Sequence, residues 1–276
     1  MNKYLAATTL PLLLTLSACI TPPANDDLPV PGMSLVSLGP TDLSGAGIGG
    51  NLAYVGQLEG LDKANFAGNT VSFSDDKLIL TLEPDGDLPG SLPLTYVEEL
   101  GAYAAIWDDG SMMAYVFRDE NNPNALVVKV VFQAGIDDFT AYGVTSSAAA
   151  GSAFLPTTGS ATYTGGLEAT DHLGSVANGN IELLVNFLDQ SISGGFSIED
   201  GTVFGEASFG LGNLQSKSIH ASWAKFYSNI ESTDMIILDS NFMASISGEN
   251  SEFATGVFFL RTDSDEALAG AFSASQ

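Results

Sequence analysis

From Gly159 to Gln276 the chain alternates apolar and polar residues in short runs. Ile181, Leu183, Val185 and Phe187 take every second position, as do Ile192, Gly194, Phe196 and Ile198. Phe242, Ala244 and Ile246 repeat the pattern, and Leu268, Gly270 and Phe272 carry it almost to the last residue. Side chains on a strand point to opposite faces with period two, so each run predicts one buried and one wetter face. Spacing at i, i+3, i+4 is not sustained. Strands are expected near 160–168, 180–187, 191–199, 202–209, 217–227, 233–247, 253–261 and 267–275. Gly165, Gly194, Gly205, Gly256 and Gly270 recur beside large residues. Glycine weakens a strand interior, so its recurrence calls for a narrow barrel shared by large and small side chains. The expected fold of 151–276 is an eight-stranded antiparallel β-barrel, with the last strand pairing the first.

The preceding stretch, 34–150, is also β-rich. Leu52–Gln57, Thr70–Ser74, Lys77–Glu83, Leu94–Glu98, Ala102–Asp108, Met112–Arg118, Leu126–Gln133 and Phe139–Thr145 read as strands. Asp75-Asp76, Pro84-Asp85-Gly86-Asp87, Asp108-Asp109-Gly110 and Asn121-Asn122-Pro123-Asn124 supply turns between them. One short helix is allowed in 59–66. Small residues without pattern at 146–152 mark a boundary. The chain is therefore all-β: a β-rich N-terminal domain, then a barrel.

Residues 1–18 have one basic residue, Lys3, and an apolar run from Leu5 to Leu16. That run is too short for a comfortable bilayer span and has the flanks of an export signal. The following tether, 19–33, includes Ile20–Gly32, whose four prolines and two aspartates make it stiff and unpacked.

The 276 residues carry a net charge of −25, from 33 Asp and Glu against 8 Lys and Arg. Attraction to a nucleic-acid backbone is excluded on that balance. Cys19 is the only cysteine, so no intramolecular disulfide forms.

No constellation for catalysis stands out. Gly45, Gly47 and Gly50 satisfy GxGxxG formally, but a strand rather than a helix follows. The only histidines are His172 and His220. Asp108-Asp109 and Asp119-Glu120-Asn121 lack EF-hand spacing and read as polar turns. No catalytic residue and no metal site is expected, and the reading is of a protein that is not an enzyme. Two loops are candidates for binding. Trp107, Met112 and Met113 surround a tight turn, either exposed as apolar anchors or packed beneath it. His172 is a possible axial ligand for haem, or simply a solvated loop histidine, in the loop Ala169–Gly179.

Leu16-Ser17-Ala18-Cys19 resembles the bacterial lipobox, which implies cleavage before Cys19 and lipidation of its thiol. The stretch Leu155-Pro156-Thr157-Thr158-Gly159-Ser160-Ala161-Thr162-Tyr163-Thr164-Gly165 is similar to the barrel of the transferrin-binding protein B family. So are Leu184-Val185-Asn186-Phe187 leading to Ser191-Ile192-Ser193-Gly194, and Gly256-Val257-Phe258-Phe259 followed by Ala267-Leu268-Ala269-Gly270-Ala271-Phe272. Leu260-Arg261 stand where that family usually has Gly-Pro. The resemblance covers about 155–276 and extends to 34–145 only as a handle-like architecture. It implies a lipoprotein anchored in the outer membrane through acylated Cys19 and facing the cell surface. Such a protein captures an iron-carrier protein or haem, with an outer-membrane transporter as a possible partner. The alternative is a periplasm-facing structural or accessory lipoprotein with no uptake role.

Overall fold

The computed structural model describes residues 35–39, 50–57, 64–65, 70–74, 77–81, 92–107, 110–120, 122–134, 137–146, 156–212, 215–220 and 223–276. The export signal, Cys19, the tether, most of the glycine-rich stretch and the boundary at 147–152 lie outside these residues.

Two antiparallel sheets account for the architecture. The first contains β1 (Leu35–Ser37), β2 (Gly50–Gln57), β3 (Ala64–Asn65), β4 (Thr70–Ser74) and β5 (Lys77–Thr81). It continues with β6 (Leu92–Val97), β7 (Ala102–Trp107), β8 (Gly110–Asp119), β9 (Asn122–Ala134) and β10 (Asp137–Ser146). All the strands expected in this region are present. The suggested helix is not seen in its described part, where Ala64–Asn65 pairs with β2. The pairing path runs β8–β7–β6–β5–β4–β2–β10–β9, and β9 pairs back onto β8. One side of this curved sheet is thin: β2 and β4 meet only through Gly50↔Val71 and Asn51↔Thr70. Leu78, Leu94, Tyr103, Met112, Val116, Leu126, Val128, Val130 and Phe132 fill its concave side.

The second sheet contains β11 (Ser160–Asp171), β12 (Val176–Asn186), β13 (Ser191–Ile198), β14 (Ala207–Leu211) and β15 (Gln215–His220). It continues with β16 (Trp223–Ser228), β17 (Ile230–Glu231), β18 (Ile237–Ser247), β19 (Phe253–Thr262) and β20 (Ala267–Ser275). The last strand pairs the first, as expected, from Thr164↔Ser275 to Asp171↔Leu268. Closure on the far side comes from the run 223–231. Its β16 half pairs with β18, and its β17 half pairs with β14. Counting that run once, the ring has eight members, and β15 extends it as a hairpin with β16. Three strand positions differ from the sequence reading: the single strand expected at 217–227 is the β15–β16 hairpin, which turns between His220 and Trp223. Residues 199–206 form turns rather than a strand, and β18 starts at Ile237. Within 199–206 Asp200, Gly201 and Gly205 favour turns over the pleat, and Gly201 and Gly205 adopt positive φ.

Aromatic rings fill the barrel. Phe196 lies 4.5 Å from Phe258 and 4.9 Å from Phe209 between ring centroids, and Phe242 stacks on Phe272 at 5.0 Å. Glycine makes room for two of them: a Cβ on Gly256 would meet the Phe272 ring at 2.6 Å, and one on Gly270 would meet Phe258 at 2.6 Å. The expected sharing of large and small residues holds there. Gly194 has a different cause. It sits at φ 120, and a Cβ would lie 2.1 Å from the Glu182 carbonyl oxygen, so the backbone bend rather than the interior demands glycine.

The two sheets pack through their outer faces. Val127 and Tyr142 from the first meet Met243, Val257, Phe259, Ala267, Ala269 and Ala271 from the second. This corrects the expectation of a wetter face on the last strand. All but the final residue of Ala267–Ser275 is buried, because the neighbouring sheet covers the face that points away from the barrel interior.

One polar cluster crosses the contact. Lys129 Nζ lies 2.6 Å from Glu168 Oε1, and the Tyr142 hydroxyl donates to the same oxygen at 2.8 Å. With that proton directed at Glu168, the Thr170 hydroxyl donates to Tyr142 across 2.6 Å. Burial first, and the Glu168 charge second, hold the Tyr142 phenol well above its ordinary pKa, so it remains a donor.

Candidate functional site

With the barrel interior filled, ligand contact falls to its ends and walls. At one end, the turn 172–175 lies beside the turns 199–206 and 263–266 and the connection 232–236. Asp171 organises the first two. Its buried carboxylate accepts from the Leu173 and Ser175 N–H groups at 2.9 Å each, and from Val203 N–H at 2.8 Å. Gly174, at φ 84, supplies the left-handed residue the turn needs. The His172 N–H donates to the Ala267 carbonyl at 3.0 Å, and Asp263 N–H donates to the Ile236 carbonyl at 3.1 Å. The connections are therefore braced against one another before any ligand arrives.

Aliphatic side chains project from this braced end. Leu173 is 61% exposed, Ile236 63% and Leu238 62%. Leu173 and Ile236 flank opposite sides of the 263–266 turn through the hydrogen bonds just described. Asp200, Asp234, Asp239, Asp263 and Asp265 are exposed on the same connections and at the start of β18. This end thus carries exposed aliphatic and acidic side chains together, a composition suited to a macromolecular surface. Among the described residues no group of three or more His, Cys, Asp or Glu side chains could hold a metal ion.

The residues singled out from sequence are not brought to one place. Trp107 ends β7, paired with Gly110, and its side chain lies outside the described residues. Met112 is fully buried in the first core, and Met113 is 6% exposed, with the Tyr115 hydroxyl directed at its sulfur from 3.9 Å. Both belong to β8 rather than to an exposed turn, because the hairpin is tighter than the sequence suggested and the strand begins at Gly110. The reading of these methionines as exposed anchors is therefore corrected to one of packing.

His172 does stand at the barrel end, in a turn much shorter than the loop expected. Its Nδ1 accepts from the Ala267 N–H at 3.3 Å. In this geometry His172 braces the turn through its Nδ1. His220 belongs to the backbone of β15, and its side chain lies outside the described residues.

The aliphatic end was legible in one respect. Met235-Ile236-Ile237-Leu238 is a continuous apolar run beside a turn. Period two puts Met235 and Ile237 against the core, and leaves Ile236 and Leu238 outside.

No protein-family model matches the chain, and no curated protein does. Solved structures do match. One is a double mutant of the vaccine antigen transferrin-binding protein B from Haemophilus parasuis, at 13% identity and TM-score 0.47. The match covers 82% of this chain and 44% of that one, so this chain spans under half its length. A surface lipoprotein matches at 11% identity and TM-score 0.37, over 82% of this chain and 98% of that one. A protein of unknown function from Nostoc punctiforme matches at 10% identity and TM-score 0.28, over 87% of this chain and all of that one. The likeness is one of fold.

Proposed function

We propose that this chain is a lipid-anchored surface protein of a bacterial outer membrane, and that it captures a macromolecular ligand at the braced end of its barrel. The observation that carries the binding half is the exposed aliphatic set Leu173, Ile236 and Leu238 at cross-tied turns that also carry exposed acidic side chains. Exposed aliphatic groups on a preorganised frame favour association, because little ordering remains to oppose it. The anchoring half rests on the lone Cys19 after Leu16-Ser17-Ala18 and on the proline-rich tether behind it. Each buried CH₂ of an attached lipid contributes roughly 0.8 kcal/mol to membrane binding. A protein ligand is favoured over haem for two reasons. The His172 ring is already engaged by the Ala267 N–H, and a net charge of −25 repels the haem carboxylates.

The test combines labelling with protease treatment of intact cells. The wild-type chain takes up labelled palmitate and is clipped from outside, whereas Cys19→Ser takes up none. Labelling that survives in Cys19→Ser removes the anchor. A chain that is labelled but protected from protease in intact cells is periplasmic, and removes the surface assignment.

A further inference from the structure

The wall formed by β11–β14 faces outward with polar side chains on several of its exposed positions. Around Thr164, Asn180, Glu182 and Ser208 it holds a shallow depression of about 700 Å³ that crosses all four strands. Register sets its polar groups in two transverse rows. In one row Thr164 stands beside Glu182, and Glu182 beside Gly195. In the other Asn180 stands beside Ser197, and Ser197 beside Ser208. Neighbours in a row are one strand spacing apart, about 4.8 Å, which is close to the length of a pyranose ring.

Three features define what this wall can hold. On the exposed outward positions of these strands Glu182 is the only charged side chain, in a chain of net charge −25. Hydroxyl and amide groups line the rows, and each can both donate and accept a hydrogen bond. At Gly195, which pairs with Gly210, the floor is bare main chain. A flat ligand can therefore approach the backbone closely. An apolar ligand would leave the rows unpaired, at a cost for each desolvated group. An anionic ligand meets the field of the whole chain. A neutral, polyhydroxylated ligand matches the spacing, the charge and the mixed donor and acceptor lining.

We propose that the outward wall of β11–β14 is a carbohydrate-binding face, which takes a neutral oligosaccharide laid across the strands along the Thr164–Glu182–Gly195 and Asn180–Ser197–Ser208 rows. This goes beyond capture at the barrel end and does not depend on it, since the two surfaces share no residue.

Saturation-transfer NMR on the full chain, in a detergent without a sugar headgroup, tests it. Chitohexaose, maltohexaose and cellohexaose serve as neutral probes, with dextran sulfate as the anionic control. At least one neutral probe is expected to receive saturation, and its affinity should fall at least tenfold in Asn180→Leu and in Ser208→Leu. Both substitutions lie on exposed positions, so a thermal melt checks that the fold is kept. Leu173→Ser, at the barrel end, should leave the signal unchanged. Absence of transfer to all three neutral probes overturns the proposal. So does equal transfer to dextran sulfate, or binding that survives both wall substitutions in folded protein.

Discussion

The β18–β20 wall and the β11–β14 wall belong to one barrel and share one alternation, yet they meet opposite surroundings. On β20 the outward residues Ala267, Ala269 and Ala271 are all fully buried beneath the first sheet. On β12 the outward residues Asn180, Glu182 and Leu184 are exposed. The inward sets of the two walls are much alike, Leu268 and Phe272 against Leu183 and Val185. The distinction therefore lies wholly in the outward positions. Alanines there permit the close approach of a second sheet, and polar residues there keep a wall in water.

The largest effect expected from this comparison is a charge placed under the first sheet. Ala269→Glu would bury a carboxylate among Val127, Val257 and Phe259, where the nearby cations Lys129 and Arg261 already have partners. Unpaired burial should destabilise by about 3–5 kcal/mol, measured as a shift in the urea midpoint. A loss below about 1 kcal/mol would mean that the two sheets do not stay in contact in solution. The same contact bears on whether the barrel can stand alone. The boundary at 146–152 predicts that 153–276 folds independently, but that fragment would expose the whole apolar set of β18–β20. It is expected to aggregate or to melt well below the full chain by scanning calorimetry.

Next in size is the bend in β13. The narrow-interior argument from sequence predicts that Gly194→Val destabilises by about 1–3 kcal/mol through overpacking. The structure keeps the direction and changes the cause, since Gly194 sits at φ 120 against the Glu182 carbonyl. Gly194→Ala should then cost nearly as much as Gly194→Val in chemical denaturation, because the first Cβ already collides. If alanine is neutral and valine is not, side-chain volume is the cause after all.

Much of this architecture was visible in the chain. The strands of the first sheet and most of those in the second followed from period-two alternation and turn chemistry. So did the pairing of the last strand with the first, which removes the open edges of the sheet. Contacts between remote segments were not visible. Lys129 and Tyr142 are 39 and 26 residues from Glu168, and nothing local marks them as its partners. Met112 and Met113 misled because an apolar pair beside a turn looks the same whether it packs or projects. Outward alanines were read as the wetter face because alanine is indifferent to solvent, and only the neighbouring sheet decides its environment.

A smaller effect is expected where the walls are joined by polar groups. Tyr142→Phe keeps the ring under Lys129 and removes the hydroxyl that Glu168 and Thr170 share. The loss should be about 1–2 kcal/mol, most of it from leaving Thr170 without its acceptor in a buried position. A double-mutant cycle with Thr170→Val measures the coupling directly. Additive losses in that cycle would show that the hydroxyl pair contributes nothing of its own.

The smallest expected effect is the counterpart of the largest. Ser193→Glu puts the same carboxylate on the open wall, opposite Leu184, at an exposed position of β13. A solvated surface charge away from caps and networks should change stability by no more than about 0.5 kcal/mol. Glu182 lies on the neighbouring strand, so the residual term is like-charge repulsion, which added salt should reduce. The comparison with Ala269→Glu uses one side chain in one barrel on two walls, so strand propensity and helix effects largely cancel between them. A near-equal loss at both positions would mean that something covers the β11–β14 wall in solution. A second copy of the chain is then the first occupant to test, by repeating the melt across a hundredfold range of concentration. A melting temperature that does not move with concentration, together with a small Ser193→Glu effect, establishes an open wall and leaves it free for a ligand.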